Sequence, residues 1–160
     1  MHYQCFYQSP VGLLEITEEK EYITGVHLLV NQVVLPKKVA DSTLSPLLLE
    51  ACNQLDEYFV KKRIVFDLPI AYSHGTPFQQ SVWNALRDIP HGETRSYEDI
   101  ARAIGNPKAV RAIGQANTRN PILLFVPCHR VINKNGTIGG FGCGVEVKRK
   151  LLELEGVTVK

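Results

Sequence analysis

Pro127-Cys128-His129-Arg130 follows directly on the apolar run Ile122-Leu123-Leu124-Phe125-Val126. A thiol placed where a buried strand or extended segment ends can be held rigidly at the floor of a pocket. Cysteine is a weak nucleophile as the thiol and a strong one as the thiolate, and a nearby histidine or positive charge favours the thiolate. His129 and Arg130 offer both. Successive side chains of an extended segment point to opposite faces, so a water bridge suits a Cys128–His129 relay better than a direct ion pair. The imidazole also needs an orienting group, commonly a carboxylate. Glu155 is the candidate, at the end of a helix expected over 147–155 and stopped by Gly156, because a carboxylate at that end is otherwise unfavourable by about 0.3–1 kcal/mol. Taken alone, a Cys-His dipeptide is more often a buried cysteine beside a surface histidine, and a terminal glutamate is more simply solvated.

Residues 136–144, Gly-Thr-Ile-Gly-Gly-Phe-Gly-Cys-Gly, hold five glycines in nine positions. Glycine lets backbone approach a ligand closely, so this segment is a candidate wall for a flat substrate, with a flexible surface loop as the plainer reading. A phosphate loop is disfavoured because no Gly-Lys-Ser/Thr ending follows. Of the other cysteines, Cys52 falls in the apolar stripe of a helix and reads as a core thiol, while Cys5 reads as an unremarkable strand thiol. No C-x-x-C pair occurs, so neither a zinc finger nor a redox motif is indicated.

The 160 residues suit one domain or two small ones, and the 44% hydrophobic and 21% charged fractions exclude disordered, collagenous and coiled-coil classes. No apolar run approaches the roughly 20 residues of a membrane span, and Met1-His2-Tyr3-Gln4-Cys5 lacks the layout of a secretory signal, so a cytoplasmic protein without a membrane partner is expected. The net charge of +2 is an average over unlike halves: 1–74 carries six basic and nine acidic residues, 75–160 twelve and seven. No acid lies between Asp99 and Glu146, whereas Arg102, Lys108, Arg111, Arg119, Arg130 and Lys134 all do. A polyanionic partner, or failing that a solvated basic face, follows.

The elements that must position these residues begin with strands over 3–8, 13–17 and 23–30, the first two flanking the turn Ser9-Pro10-Val11-Gly12. Ser45 as N-cap and Pro46 open a helix to about residue 62, with Leu48, Ala51, Cys52, Leu55 and Phe59 on its apolar face. Residues 63–75 read as a linker. Thr76-Pro77 opens a helix on which Phe78, Val82 and Leu86 repeat every four residues, ending before Pro90. Ser96-Tyr97-Glu98-Asp99 is a looser start signal ahead of Ile100, Ala101 and Ile104, and Gly105-Asn106-Pro107 breaks that helix. Asn106 is expected to cap the next, over 108–115, with Val110 and Ile113 inward and Lys108 and Arg111 outward. Two short helices joined by a tight Gly-containing turn are a helix-turn-helix candidate.

With these residues assembled, the chain resembles the O6-alkylguanine-DNA alkyltransferases, or methylated-DNA–protein-cysteine methyltransferases. Residues 126–132 (Val-Pro-Cys-His-Arg-Val-Ile) resemble the family's active-site signature. Residues 105–114 (Gly-Asn-Pro-Lys-Ala-Val-Arg-Ala-Ile-Gly) resemble its DNA-binding helix, and Thr118-Arg119-Asn120-Pro121 its hinge. The likeness is dense over 76–156 and looser before, through the opening hairpin and Gln54-Leu55-Asp56-Glu57-Tyr58-Phe59.

The resemblance implies that Cys128 accepts the alkyl group irreversibly, that His129 acts on it through water, and that Glu155 orients His129. Tyr97 would donate to the guanine ring, Arg111 would replace the flipped nucleotide in the duplex, and Asn120 would pin the hinge. Lys108, Ala109, Ala112, Arg119 and Arg130 join Arg111 as expected DNA-contacting residues, and Val131, Phe141, Gly142 and Cys143 as pocket lining. Two positions depart from the family: Phe141 stands where many relatives have Tyr, and Cys143 where Gly is usual. Some relatives carry zinc in the N-terminal domain, but Cys5 and scattered histidines do not make a ligand set, so no metal or cofactor is expected.

The expected fold is α+β: an N-terminal antiparallel sheet with a helix over 1–74, including the linker, then a mainly helical domain over 75–160 with a winged helix-turn-helix. The expected protein is a monomer acting once on double-stranded DNA containing O6-alkylguanine, with O4-alkylthymine as a further lesion. The competing expectation is a non-catalytic alkyltransferase-like lesion binder, a class that lacks the reactive cysteine.

Overall fold

The computed structural model describes residues 2–29 and 44–160. The chain divides into two compact units, Met1–Ser73 and His74–Lys160. In the first, β1 (His2–Ser9), β2 (Gly12–Glu19) and β3 (Tyr22–Leu28) form an antiparallel meander in sequence order. Leu14 and Ile16 alternate inward along β2, and a register shift between Thr17 and Glu18 allows Ile23 and Val26 of β3, three residues apart, both to be buried. The Ser9 hydroxyl closes the first turn, donating to the Gly12 carbonyl at 2.6 Å and accepting from Val11 N–H at 3.2 Å. Lys20 and Glu21 form the second with φ of 51° and 67°, the left-handed conformations that a two-residue hairpin needs. The third strand ends at Leu28, and Val30 lies outside the described residues.

Helix α1 (Pro46–Phe59) starts as expected, with Ser45 Oγ accepting from Leu48 N–H at 3.1 Å. It ends short of residue 62 because Lys61 turns left-handed at φ 63° and the N–H groups of Lys61 and Lys62 cap the carbonyls of Tyr58 and Glu57. This is a Schellman stop with lysine where glycine is usual. The buried face is Leu48, Ala51, Gln54, Leu55 and Tyr58. Gln54 is inside because its amide clamps the Asp67 backbone, donating to the carbonyl at 3.0 Å and accepting from N–H at 2.8 Å. Ile23 then exchanges hydrogen bonds with Pro69 and Ala71. The expected linker is therefore corrected over 67–71, whose backbone is held by this unit. The thiols are corrected too: Cys5 is buried and Cys52 half-buried, with their sulfurs 3.9 Å apart.

In the second unit, α2 (Pro77–Arg87) opens with a full capping box between Thr76 and Gln79 and buries Val82, Trp83 and Leu86. The Trp83 indole N–H reaches the Ala116 carbonyl at 2.8 Å, fixing α2 against α4 (Val110–Thr118). Between them, β4 (Arg95–Ser96) leads into α3 (Tyr97–Ala103), whose N-cap Ser96 forms a reciprocal box with Asp99. The expectation that Asn106 caps the following helix is corrected. Its carbonyl accepts from Ala109 N–H at 3.1 Å in a turn, Ala109 takes the cap position without a side-chain hydrogen bond, and α4 runs three residues beyond 115.

The apolar run 122–126 was expected to be extended and is instead a tight turn. Val126 N–H bonds the Ile122 carbonyl and Phe125 N–H the Leu123 carbonyl, both at 2.9 Å, with Leu124 between at φ 73°. A left-handed leucine costs about 1–3 kcal/mol. Its side chain is 1% exposed, and burial worth about 1.5–3 kcal/mol offsets the strain. Cys128–Arg130 then forms one 3-10 turn before β5 (Val131–Ile132), which pairs in parallel with β4, Arg95 opposite Val131 and Ser96 opposite Ile132. A turn across Asn133–Thr137 and this short pair occupy the region where a wing was expected. Helix α5 (Val145–Leu154) completes the unit.

Candidate active site

The β4–β5 pairing sets the start of α3, where Tyr97 lies, against the segment that follows Cys128. Two asparagines hold the acceptor segment from the other side. Asn117 donates to the Cys128 carbonyl at 3.2 Å, and Asn120 donates to the Val126 carbonyl at 2.8 Å while accepting from Ile122 N–H at 3.0 Å. Asn120 thus sits where a hinge pin was expected; Asn117, near the end of α4 and four residues after the inward Ile113, was missed although that spacing places it on the buried face.

Behind the thiol lies a fully internal charged network. His129 Nε2 is 2.7 Å from Glu155 Oε2, and His129 is 0% and Glu155 5% exposed. Arg130 grips the same carboxylate in bidentate fashion, Nε to Oε1 at 2.8 Å and Nη2 to Oε2 at 3.1 Å, while Nη1 donates to the Ile89 carbonyl at 2.6 Å. The expectation that Arg130 touches DNA is therefore corrected: its side chain is 8% exposed and its guanidinium is engaged inside the protein. Burial alone pushes the Glu155 carboxyl up, but the hydrogen bonds and charges of His129 and Arg130 outweigh it and hold the group well below the usual carboxylate range. Burial pushes His129 down, beyond what Glu155 restores. That shift favours the neutral imidazole, whose N–H then holds Glu155 ionised together with the Arg130 guanidinium. In this state Nε2–H donates to Glu155 and Nδ1 carries the lone pair. That Nδ1 is buried without a hydrogen-bond partner among the described residues, as a base awaiting a proton would be.

Burial pushes the Cys128 thiol up to about 12, against the Asn120 amide and the Lys148 charge, so it rests protonated. Lys148 is the other functional residue that sequence reasoning missed. Its side chain is 0% exposed, its ammonium donates to the Gly140 carbonyl at 3.1 Å and lies 5.9 Å from the centre of the Phe141 ring, and burial draws its pKa down to about 8. It anchors the glycine-rich loop and opposes the thiol's neutral form. That loop passes close to the other elements: a Cβ on Gly139 would stand 3.3 Å from the Tyr97 hydroxyl, and one on Gly142 3.1 Å from Thr118 Cγ2. Burial and the facing sulfur of Cys128 raise the Tyr97 phenol, which keeps it a donor.

Val131 is buried, Phe141 and Cys143 half-buried, and Gly142 exposed. Burial also raises the Cys143 thiol, and its charged form would push Cys128 further up. Cys143→Ser is expected to leave the rate of alkyl transfer within about threefold of wild type in a single-turnover assay, since Cys143 makes no contact that orders Cys128. On the other side of α4, Lys108, Arg111, Ala112 and Arg119 are exposed and Ala109 half-buried. None of these basic groups has an ion-pair partner among the described residues, unlike Arg102, which pairs with Asp99 at 2.5 Å. Arg119 lines a surface groove with His74, Thr76, Gln79 and Trp83. Among the described residues no group of three or more His, Cys, Asp or Glu is placed to hold a metal ion.

Residues 77–157 match the model of the 6-O-methylguanine DNA methyltransferase DNA-binding domain, and residues 1–72 that of the same family's ribonuclease-like domain. The chain belongs to the O6-methylguanine-DNA methyltransferase family. Among methyltransferases of this family, the constitutive methylated-DNA–protein-cysteine methyltransferase of Bacillus subtilis is 48% identical over 100% of this chain and 99% of its own. The enzyme of that name from Methanosarcina acetivorans is 44% identical over 96% and 98%. Of solved structures, the Mycobacterium tuberculosis O6-methylguanine methyltransferase superposes with a TM-score of 0.82 at 41% identity, covering 97% of this chain and 93% of that one. The Mycobacterium tuberculosis OGT in complex with DNA gives 0.82 at 42% identity, covering 95% and 91%.

Proposed function

We infer that this protein repairs DNA by moving the alkyl group from O6 of guanine onto the sulfur of Cys128, once per molecule. The observation that carries the chemistry is the orphaned Nδ1 of His129 in a network otherwise complete, a neutral base behind a protonated thiol. A water between Cys128 and His129 passes the thiol proton to Nδ1. The imidazolium so formed is stabilised by Glu155, whose charge Arg130 already orients. The sulfur lone pair attacks the alkyl carbon, the S–C bond forms as the C–O6 bond breaks, and its electron pair leaves on guanine. The Tyr97 hydroxyl, held near the pocket loop, gives its proton to the departing ring so that guanine leaves neutral, and the imidazolium proton returns through water to the tyrosine oxygen. Lys148 steadies the sulfur's negative charge before transfer. The thioether has no ready hydrolytic exit, so the protein is consumed.

Guanine O6 is inaccessible within a stacked duplex, so the nucleotide must flip into the pocket at a cost of a few kcal/mol, which an alkyl lesion lowers by weakening the pair. The exposed helix α4 is the element we assign to the duplex, with Lys108 and Arg119 on phosphates, the small Ala109 and Ala112 allowing close approach, and Arg111 filling the vacated position. The lesions we assign are O6-alkylguanine and, by the same geometry, O4-alkylthymine. In this reading residues 1–74 are a structural domain and 75–160 the DNA-binding and acceptor domain. No helix among the described residues is long and apolar enough to cross a membrane. With DNA as substrate, we place the protein in the cytoplasm.

Arg111→Ala tests the flipping step. If Arg111 supplies most of a flipping cost of about 3 kcal/mol, duplex repair falls about 100-fold, while reaction with free O6-benzylguanine, which needs no flipping, changes less than about threefold. Equal losses on the two substrates would remove the intercalating role from Arg111.

A further inference from the structure

Two of the four thiols form a pair that alkyl transfer does not use. Cys5, on β1 opposite Ile16, and Cys52, on the second turn of α1, are 47 residues apart in sequence, and their sulfurs stand 3.9 Å apart. A disulfide needs about 2.0 Å between sulfurs, so the pair must close by about 2 Å for the bond to form. We propose that Cys5 and Cys52 are a modification site for hydroperoxides, forming an intramolecular disulfide that ties β1 to α1 while the acceptor Cys128 stays reduced.

The two sulfurs are placed unequally. Cys5 is 2% exposed, whereas Cys52 is half-buried and open to a small oxidant. The contact between the sulfurs eases ionisation of one thiol at the expense of the other, against burial of both, and the more exposed Cys52 is the one a small oxidant reaches. Cys52 is thus the attacking thiol and Cys5 the resolving one. The Cys52 sulfur attacks one peroxide oxygen, the O–O bond breaks, and the departing hydroxide takes the Cys52 proton as water, leaving a sulfenic acid. The Cys5 sulfur then attacks the Cys52 sulfur, the S–O bond breaks, and hydroxide leaves with the Cys5 proton as a second water. Two thiols are oxidised by two electrons to one disulfide, and one peroxide is reduced to two waters. Cys128 does not compete, being 3% exposed and held as the neutral thiol.

The test is to treat the full chain with a small excess of hydrogen peroxide, block remaining thiols, and map peptides by mass without reduction. The expected result is one cross-linked peptide joining Cys5 to Cys52, with Cys128 recovered as a blocked thiol. Methyl transfer from duplex DNA should stay above about half its starting level, and the unfolding midpoint should rise by about 5 °C, reversed by dithiothreitol, because the link constrains the unfolded chain. Cys52→Ser should abolish the cross-link and the shift. Recovery of Cys5 and Cys52 as free thiols once the peroxide is consumed would overturn the proposal, as would Cys52 oxidised without a cross-link, or a first disulfide between Cys128 and Cys143.

Discussion

Replacing Cys128 by Ser is expected to lower alkyl transfer by about 10⁴-fold or more while duplex binding changes little. The sulfur is the bond-forming atom, and a serine hydroxyl at the same place is a far poorer nucleophile with a far higher pKa. Losses of this order follow removal of the nucleophile in other covalent enzymes. Binding persists because the helix assigned to DNA is built independently: α4 is positioned by Trp83 bonding the Ala116 carbonyl and by the buried Ile113, neither of which involves the thiol. The variant keeps its fold because Asn117 and Asn120 hold the segment through the backbone carbonyls of Cys128 and Val126. Measuring tritium transfer and fluorescence anisotropy on the same methylated duplex separates the two quantities. Transfer by the serine variant within tenfold of wild type would place the acceptor elsewhere.

Glu155→Gln is expected to damage both stability and chemistry. The amide cannot neutralise Arg130, whose guanidinium would remain in the interior beside the uncharged Ile89 carbonyl, and a buried charge stripped of its counterion costs about 3–5 kcal/mol. Alkyl transfer should fall by about 10²–10⁴-fold, because the imidazole loses the anion that stabilises its protonated form.

The pH dependence has a fixed sign. Glu155 is depressed in the folded state, so its contribution is present above the unfolded carboxyl value of 4.5 and is lost as pH falls toward the folded one. His129 is also depressed, so unfolding takes up a proton below its ordinary value of 6.5, and stability falls with pH there too. Urea unfolding at pH 7, 5.5 and 4 should show stability declining in the wild type and a flatter acid limb in the variant. A variant as stable as wild type at pH 7, with unchanged transfer, would show that the carboxylate does neither job.

The signals that the sequence carried clearly were local ones. Ser45-Pro46 and Thr76-Pro77 opened helices where expected, because an N-cap hydroxyl and an N1 proline act within one turn and need nothing from the rest of the fold. The strand alternation of the opening hairpin was equally self-contained. Glu155 was less clear: an acid at the wrong end of a helix dipole suggested a compensating partner, but on that argument alone a solvated side chain was the simpler reading.

The misreadings mostly turn on tertiary context. Arg130 read as a DNA contact because it lies in the basic, acid-free stretch, and only the fold brings Glu155 and the Ile89 carbonyl to it. Lys148 shares the i, i+3, i+4 face of Leu151 and Leu152, a spacing that marks it as the inward lysine but was passed over because a lysine in a charged helix is usually solvated. The run 122–126 reads as a strand by composition, and its reversal at Leu124 contradicts that residue's own preference, tolerated because the side chain is buried. Asn106 carries a good capping side chain but lies one turn too early, since the chain makes an extra turn at Pro107-Lys108 before α4 begins. The nearness of Cys5 to Cys52 depends on how a sheet meets a helix 47 positions away, which no periodicity encodes.

The central claim is that Cys128 itself becomes alkylated, once. Incubating the protein with a molar excess of duplex DNA containing O6-methylguanine, then measuring intact mass and mapping the peptides, tests it most directly. The expected outcome is a gain of one methyl group per chain, on the peptide carrying Cys128, with repaired guanine formed in equal amount and no further reaction. An unmodified Cys128 beside bound lesion DNA, or repair continuing beyond one equivalent, would contradict it.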